Sequence, residues 1–363
     1  MMNYFTDTYL QARESFLKAA QYHEDATHHI YCHPSECDSL GEPLTTDVIR
    51  IGPQDASSVL LVTSGLHGAE GFAGSAIQNK ILSERPLHPL PDDMALVLVH
   101  AINPYGFEHV RRVNEDNIDL NRNFIDWSAS KPEEHFLTAK MQNIIAPQSW
   151  NWPLTYAKSL LMVAWHGMRN VQASLQQGQY SFPQGLFYGG EEAAWSNHLV
   201  RDVVEGCVEK GARRIVHVDI HTGLGKRGSA ELILTEPSDS PMGYRAWTIW
   251  GDAVKSVATE KDESVSAKVS GSIEHAFSEA VRDKCEVTMI ALEFGTLPPF
   301  GVLKAMAYDN WVHTQGLQGA ERERAKAMMR EAFSPRDPAW ELDVLSRGTE
   351  VLVQATESLE KSL

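Results

Sequence analysis

Four short apolar runs punctuate the chain, at residues 58–64 (SVLLVTS), 94–102 (MALVLVHAI), 214–220 (RIVHVDI) and 286–292 (EVTMIAL). None shows the apolar–polar alternation of a half-exposed strand. Continuous runs of this length predict strands buried on both faces, as in a mostly parallel sheet. Stretches with helical spacing lie around and between them, at 6–21, 72–84, 193–210, 242–258 and 302–317. In the first of these, Leu10, Phe16 and Leu17 fall on one side with charges between. The alternation of strand and helix predicts an α/β fold, a mostly parallel mixed sheet sandwiched by helices.

Residues 131–192 interrupt that alternation. They are rich in Trp, Gln and Tyr, contain helical spacing near 154–172, and end in the loop QGQYSFPQGLFYGG. The stretch reads as a helical and loop insertion within a single domain spanning 1–363. It either packs near the functional edge of the sheet or is an extra helix and loop without a role. The loop at 178–190, with Tyr188, is expected to border the site as a wall or lid. The tail from 319 is helical and charged, with Pro335 and Pro338 as interruptions.

Charge narrows the possible partners. Forty-eight acidic residues against 32 basic ones give a formal charge of −16, which repels phosphate backbones and anionic membrane surfaces. Neither nucleic acid nor a membrane is expected as a partner. No stretch approaches the ~18 apolar residues of a membrane span. The first residues lack a basic start followed by an apolar run, and the four cysteines suggest no disulfide framework; a cytoplasmic location is the expectation. The run HHIYCHPSEC, with His28, His29, His33, Cys32 and Cys37, invites a second metal reading. Its cysteine spacing is not a zinc knuckle, and an ordinary loop between helix and strand is the favoured alternative.

Polar chemistry follows the apolar runs, where ligands collect in open α/β sheets. After the first run comes Gly65-Leu66-His67-Gly68-Ala69-Glu70-Gly71. On a tight turn, His67 and Glu70 reach one side, and an imidazole with a carboxylate suits Zn²⁺. After the third run, Asp219-Ile220-His221-Thr222-Gly223 offers His221 as a third ligand, or as a satisfied core histidine. Two histidines and one carboxylate leave a fourth position open, as in a catalytic rather than a structural site. Asp219 is expected on the opposite face of its strand, with no settled part in the site. After the fourth run, Glu293 ends an apolar strand, where a carboxylate is either salt-bridged or functional. Residues 112–124, RVNEDNIDLNRNF, hold two arginines and several amides, a local trap for an anion or a loop that bonds its own backbone.

Taken together, H-x-x-E, then R…D-L-N-R-N-F, then D-I-H-T-G, then E-F-G, the chain resembles the zinc carboxypeptidase superfamily. That group comprises the M14-like metallopeptidases and the related aspartoacylase and succinylglutamate desuccinylase branch. The likeness spans about residues 58–297 outside the insertion, and within the superfamily the chain looks most like the bacterial DUF2817 branch. The resemblance implies a carboxypeptidase-like fold with Zn²⁺ held by His67, Glu70 and His221. It implies Glu293 as general base, and Arg112, with Arg111 as its neighbouring alternative, as the group that polarises the scissile carbonyl. Asn121 and Arg122 would then hold a free carboxylate of the substrate. The mobile tyrosine of true carboxypeptidases has no clear counterpart, since Tyr244 stands too far from Glu293 in sequence.

Three functions compete. The D-L-N-R-N-F string leans toward a carboxypeptidase acting on peptide C-termini, and this reading is preferred. The D-I-H-T-G string leans toward a deacylase of N-acyl amino acids. A metal-dependent peptide-binding protein without turnover is the third, and the presence of Glu293 and Arg112 argues against it.

Overall fold

The computed structural model describes residues 4–258 and 269–360. Its strands are β1 (Thr27–Cys37), β2 (Pro43–Ile51), β3 (Ser58–Ser64), β4 (Met94–His100), β5 (Arg214–Thr222), β6 (Ala230–Leu234), β7 (Val254–Ser256) and β8 (Glu286–Phe294). They form one sheet in the order β1-β2-β4-β3-β5-β8-β6-β7. The centre, β4-β3-β5-β8, is parallel throughout. On one side β2 runs antiparallel to β4, and on the other β6 runs antiparallel to β8, so the sheet is mixed at its flanks. The four apolar runs are the four parallel strands, and β3 and β4 are buried along their whole length.

The helices are α1 (Tyr9–Ala20), α2 (Gly71–Glu84), α3 (Pro104–His109), α4 (Thr138–Ile145), α5 (Trp152–His166), α6 (Met168–Gln176), α7 (Trp195–Glu209), α8 (Pro241–Trp250), α9 (Glu279–Arg282), α10 (Pro299–Thr314), α11 (Ala320–Phe333) and α12 (Pro338–Glu360). Local chemistry sets several of their ends. Asn151 caps α5 by accepting from the Leu154 amide at 3.1 Å, and Pro153 follows in the first turn, where its missing N–H costs nothing. Helices α2 and α12 lie against β3 and β5, and α8 against β8. Successive side chains of a strand point to opposite faces. The Ser64 hydroxyl bonds Gln78 of α2, so Thr63 must face the other way. There it bonds Asp219 at 2.6 Å and His217 at 2.8 Å. The polar face of β3 and β5 is therefore the face turned away from α2.

Four expectations need correction. The run HHIYCHPSEC is strand β1, not a loop. As an edge strand it exposes Cys32 and Cys37, while His33 turns inward to Glu115 at 3.2 Å and against Trp195. The helix expected over 242–258 stops at Trp250, because Gly251 at φ 64° leaves the helical region and Val254–Ser256 joins the sheet. The helix near 154–172 is two helices parted at Gly167, φ 80°, and α4 precedes them in the insertion. Pro338 does not interrupt the tail but begins α12. Among the described residues no helix is long and apolar enough to cross a membrane.

Candidate metal centre and its cleft

The chain leaves β3 through Gly65 (φ 64°) into a 3₁₀ turn at Gly68–Glu70. This turn is pressed against α3 so closely that a Cβ on Gly68 would lie 1.9 Å from the carbonyl carbon of Gly106. The amides of Gly68 and Ala69 donate to the carbonyls of Arg112 (3.3 Å) and Arg111 (2.8 Å). The H-x-x-E turn is thus tied by its backbone to the arginine-bearing segment. Separated in the chain by β6 and β7 but adjacent in the sheet, His221 of β5 and Glu293 of β8 are register partners. The carboxyl ends of three neighbouring parallel strands therefore supply the site.

His67, Glu70 and His221 are all buried and offer one ligand atom each within 4.8 Å of one another. The Nδ1 atoms of His67 and His221 lie 2.8 and 3.0 Å from the two oxygens of Glu70. Their outer nitrogens are also engaged, His67 Nε2 with Asp119 Oδ1 at 3.0 Å and His221 Nε2 with Asp219 Oδ2 at 2.6 Å. A neutral imidazole that donates from Nε2 to a carboxylate keeps its Nδ1 lone pair free. With both rings neutral, the two Nδ1 atoms would face the Glu70 carboxylate as acceptors against an acceptor, and a cation between them would satisfy all three. Two imidazoles, one carboxylate and a carboxylate behind each imidazole fit Zn²⁺. The electrostatics link the same groups, and without a metal they favour a protonated His221. Burial alone would push Glu70 and Asp219 up, yet His67 and His221 hold Glu70 below the usual carboxylate range, and His221 does the same for Asp219. Burial pulls His221 down, but Asp219 and Glu70 overcome it and hold the imidazole well above its ordinary value.

Around this cluster stand the groups that could act on a substrate. Glu293 accepts from the Leu224 amide at 2.9 Å, and burial, reinforced by the Glu70 charge, pushes its pKa up to about 8. Arg112 is braced by Asp119 Oδ2 (3.0 Å) and Glu70 Oε1 (3.3 Å). Asn121 turns its side-chain oxygen to the Ile273 amide at 3.0 Å. Arg122 is buried, and the one hydrogen bond of its guanidinium among the described residues runs from Nη1 to the carbonyl of Asn121 at 2.7 Å. Its Nε has no partner there, and among the described residues no carboxylate is within ion-pair distance of it. Burial lowers its pKa to about 10, offset in part by Asp119. Gly178 makes room for it, since a Cβ at that position would lie 2.5 Å from Arg122 Cδ.

These residues share one cavity of about 880 Å³. His67, Glu70, Arg112, Asn121, Arg122, His221 and Glu293 all line it, so the seven residues singled out from sequence meet at one place. The insertion supplies much of the remaining wall, through α5, α6 and Phe187. Tyr188 itself is buried, but its carbonyl accepts from the Asp119 amide at 2.7 Å, which fixes the loop beside the metal cluster. Arg111 lies elsewhere. It is buried against Asp309 of α10 at 3.0 Å and does not line the cavity. Tyr244 is exposed on α8 and also stands apart.

Sequence reasoning missed four contributors. Asp219 was placed on the wrong face, although residues two apart in a strand share a face, and His221 and Asp219 are two apart. Asp119 sat inside the D-L-N-R-N-F string, and its binding of both His67 and Arg112 had no separate signal. Phe187 adopts φ 59°, rare for a bulky residue, and its ring lies 5.8 Å from the Arg112 guanidinium carbon and 5.9 Å from that of Arg122. Glu274 also lines the cavity. It is bonded by the hydroxyls of Thr235 and Ser272, and burial pushes it up to about 7.

The fold and the buried His-Glu-His centre define an α/β protein with a candidate metal site in a deep cleft. The family described as "Protein of unknown function (DUF2817)" matches residues 5–347, and the chain belongs to that family. A comparison with the curated proteins finds no match. Among solved structures, the chain is similar to a carboxypeptidase A from Helicoverpa armigera, at 13% identity over 90% of this chain and 74% of that one, TM-score 0.44. It is also similar to a metallo-carboxypeptidase from Burkholderia cenocepacia, at 16% identity over 92% and 68%, TM-score 0.39. A third is the succinylglutamate desuccinylase from Chromobacterium violaceum, at 14% identity over 89% and 74%, TM-score 0.37.

Proposed function

We infer that the protein is a zinc-dependent hydrolase that cleaves an amide bond next to a free carboxylate. The observation that carries this reading is Arg122, a buried guanidinium without a carboxylate partner among the described residues, in one cavity with the His-Glu-His cluster and Glu293. A buried charge is costly unless paired, and a substrate carboxylate would pair it.

Bound by His67, Glu70 and His221, Zn²⁺ would supply Lewis acidity and bring the pKa of water from ~15.7 toward ~7. The chain's own groups do the rest. Asp119 and Asp219 hold the two imidazoles in the tautomer that presents Nδ1 inward. Glu293, raised in pKa, takes a proton from the attacking water and returns it to the leaving amine. Arg112, held by Asp119 and Glu70, donates to the oxyanion that develops on the carbonyl; one such donor contributes roughly 3–4 kcal/mol. Arg122 and the amide nitrogen of Asn121 orient the leaving amino acid by its carboxylate.

A matched pair of substrates, free and amidated at that carboxylate, tests the reading. A lost charge-assisted hydrogen bond costs roughly 1.5–3 kcal/mol, so kcat/KM should fall about ten-fold or more on amidation. Arg122→Ala should discriminate little between the two. Equal wild-type rates would mark an endopeptidase or another amidase, and binding without turnover would mark a binding protein. Peptide C-termini and N-acyl amino acids present the same leaving group. They differ on the acyl side, where the apolar character of the cleft favours the second.

A further inference from the structure

The cavity has two chemically distinct parts. Arginines, an asparagine and the metal cluster occupy one. The other is built by Met141, Val163, Val171 and Leu175 of the insertion, with Phe300 and Leu303 of α10. Met141 and Val171 belong to a packed apolar cluster, and Val163, Leu175 and Leu303 pack on it while still lining the cavity. Two of the few polar side chains on this wall bond within their own helices. Ser159 Oγ donates to the Thr155 carbonyl at 2.9 Å, and Gln172 Nε2 donates to Gln176 Oε1 at 3.2 Å.

This wall separates two kinds of occupant. A peptide laid along it would bring an N–H and a C=O for every residue, and each would lose water without gaining a partner. A hydrocarbon chain asks for none and gains from every methylene buried. At about 880 Å³ the cavity is at the large end for a small-molecule site, roughly 300–1,000 Å³, and far exceeds what an acetyl group and an amino acid fill. Resting on the hydrolase reading above, we propose that the substrate is an N-acyl amino acid with a long unbranched acyl chain, its carboxylate on Arg122 and its chain on the wall formed by α5, α6 and α10. Hydrolysis adds water across the amide, breaks C–N, and releases a fatty acid and the free amino acid.

The test measures binding of N-acetyl-, N-hexanoyl- and N-decanoyl-alanine to the Glu293→Gln protein by calorimetry, and turnover of the same series by wild type. Affinity should rise roughly three-fold per methylene, on the order of several thousand-fold across the eight methylenes from acetyl to decanoyl, at one ligand per chain. Val163→Asp should flatten that slope. The wild-type KM series needs no variant to fold, so its dependence on chain length stands beside the binding slope. Affinity independent of chain length overturns the proposal, as does a Gly-Gly-Gly-Ala peptide that binds as tightly as the decanoyl compound. Two outcomes separate it from the hydrolase reading. A steep slope in binding without wild-type turnover keeps the acyl wall and removes the hydrolase, whereas turnover with a flat KM keeps the hydrolase and removes the acyl wall.

Discussion

The cleft has one wall made by strand ends and one made by an insertion, and they are built on opposite principles. On the strand-end wall nearly every polar atom has a stated partner: Thr63 on Asp219, Asp219 on His221, His221 on Glu70, Glu70 on His67, His67 on Asp119, Asp119 on Arg112. On the insertion wall contact is apolar, and helices α5 and α6 also carry exposed Leu161, Trp165 and Met168. A linked polar network fixes positions to a few tenths of an ångström, whereas apolar packing specifies volume more than geometry. Chemistry that depends on geometry sits on the first wall, and affinity for a substrate's bulk sits on the second. Substitutions on the first wall should therefore cost turnover or metal, and those on the second should cost mainly KM.

The largest expected effect is at Glu293. Glu293→Gln preserves shape and removes the proton acceptor, and turnover should fall about 10²–10⁴-fold with zinc content unchanged. Near-wild-type rates on a verified substrate would remove Glu293 from the mechanism. Next comes the layer behind the ligands. Asp219→Asn leaves a hydrogen bond to His221 without the charge, and zinc affinity should weaken about 10–100-fold in a chelator competition. An unchanged affinity would reduce Asp219 to a structural role.

A third effect sharpens the contrast from outside the cleft. His100 also ends a central strand, but it has Ser75 Oγ at 2.9 Å on one nitrogen and no partner on the other, and burial lowers it to about 4. Its folded pKa lies below the unfolded value of about 6.5, so the unfolded chain binds more protons between pH 4 and 6.5. The stability that depends on keeping His100 neutral is complete above pH 6.5 and is lost as pH falls toward 4. At pH 5 the loss is about 2 kcal/mol. Denaturation at pH 7 and pH 5 should show that much less acid sensitivity in His100→Gln than in wild type; an identical pH dependence in both would contradict it. The smallest effect is on the apolar wall. Phe187→Ala removes the ring beside Arg112 and Arg122, a contact of roughly 0.5–1 kcal/mol each at such sites, and KM should rise several-fold with kcat nearly kept. A loss in kcat alone would move Phe187 to the strand-end group.

The same division explains what could be read from the sequence. Strands β3, β4, β5 and β8 are buried on both faces and leave unbroken apolar runs. The residues of the polar wall stand in compact strings because strand ends and tight turns deliver them close together. Flanking strands leave weaker traces. Strand β1 is an exposed edge and reads as polar, and β2 hides Thr45, Thr46 and Asp47 by bonding them to Tyr9, the Ala101 carbonyl and Arg13. The apolar spacing after Trp250 continues into Val254, so only Gly251 marked the change from helix to strand. On the insertion wall the lining residues come from α4, α5, α6 and α10, and nothing local in sequence announces that they face one space. Phe187 shows the limit most clearly, because its positive φ is a property of the folded loop.

The central claim is that the strand ends hold a metal at His67, Glu70 and His221. Zinc content of the purified protein, compared with His67→Ala and His221→Ala, tests it most directly. One Zn²⁺ per wild-type chain and little in either variant is the expected result; equal zinc in all three proteins, or none in the wild type after zinc loading, would contradict the assignment.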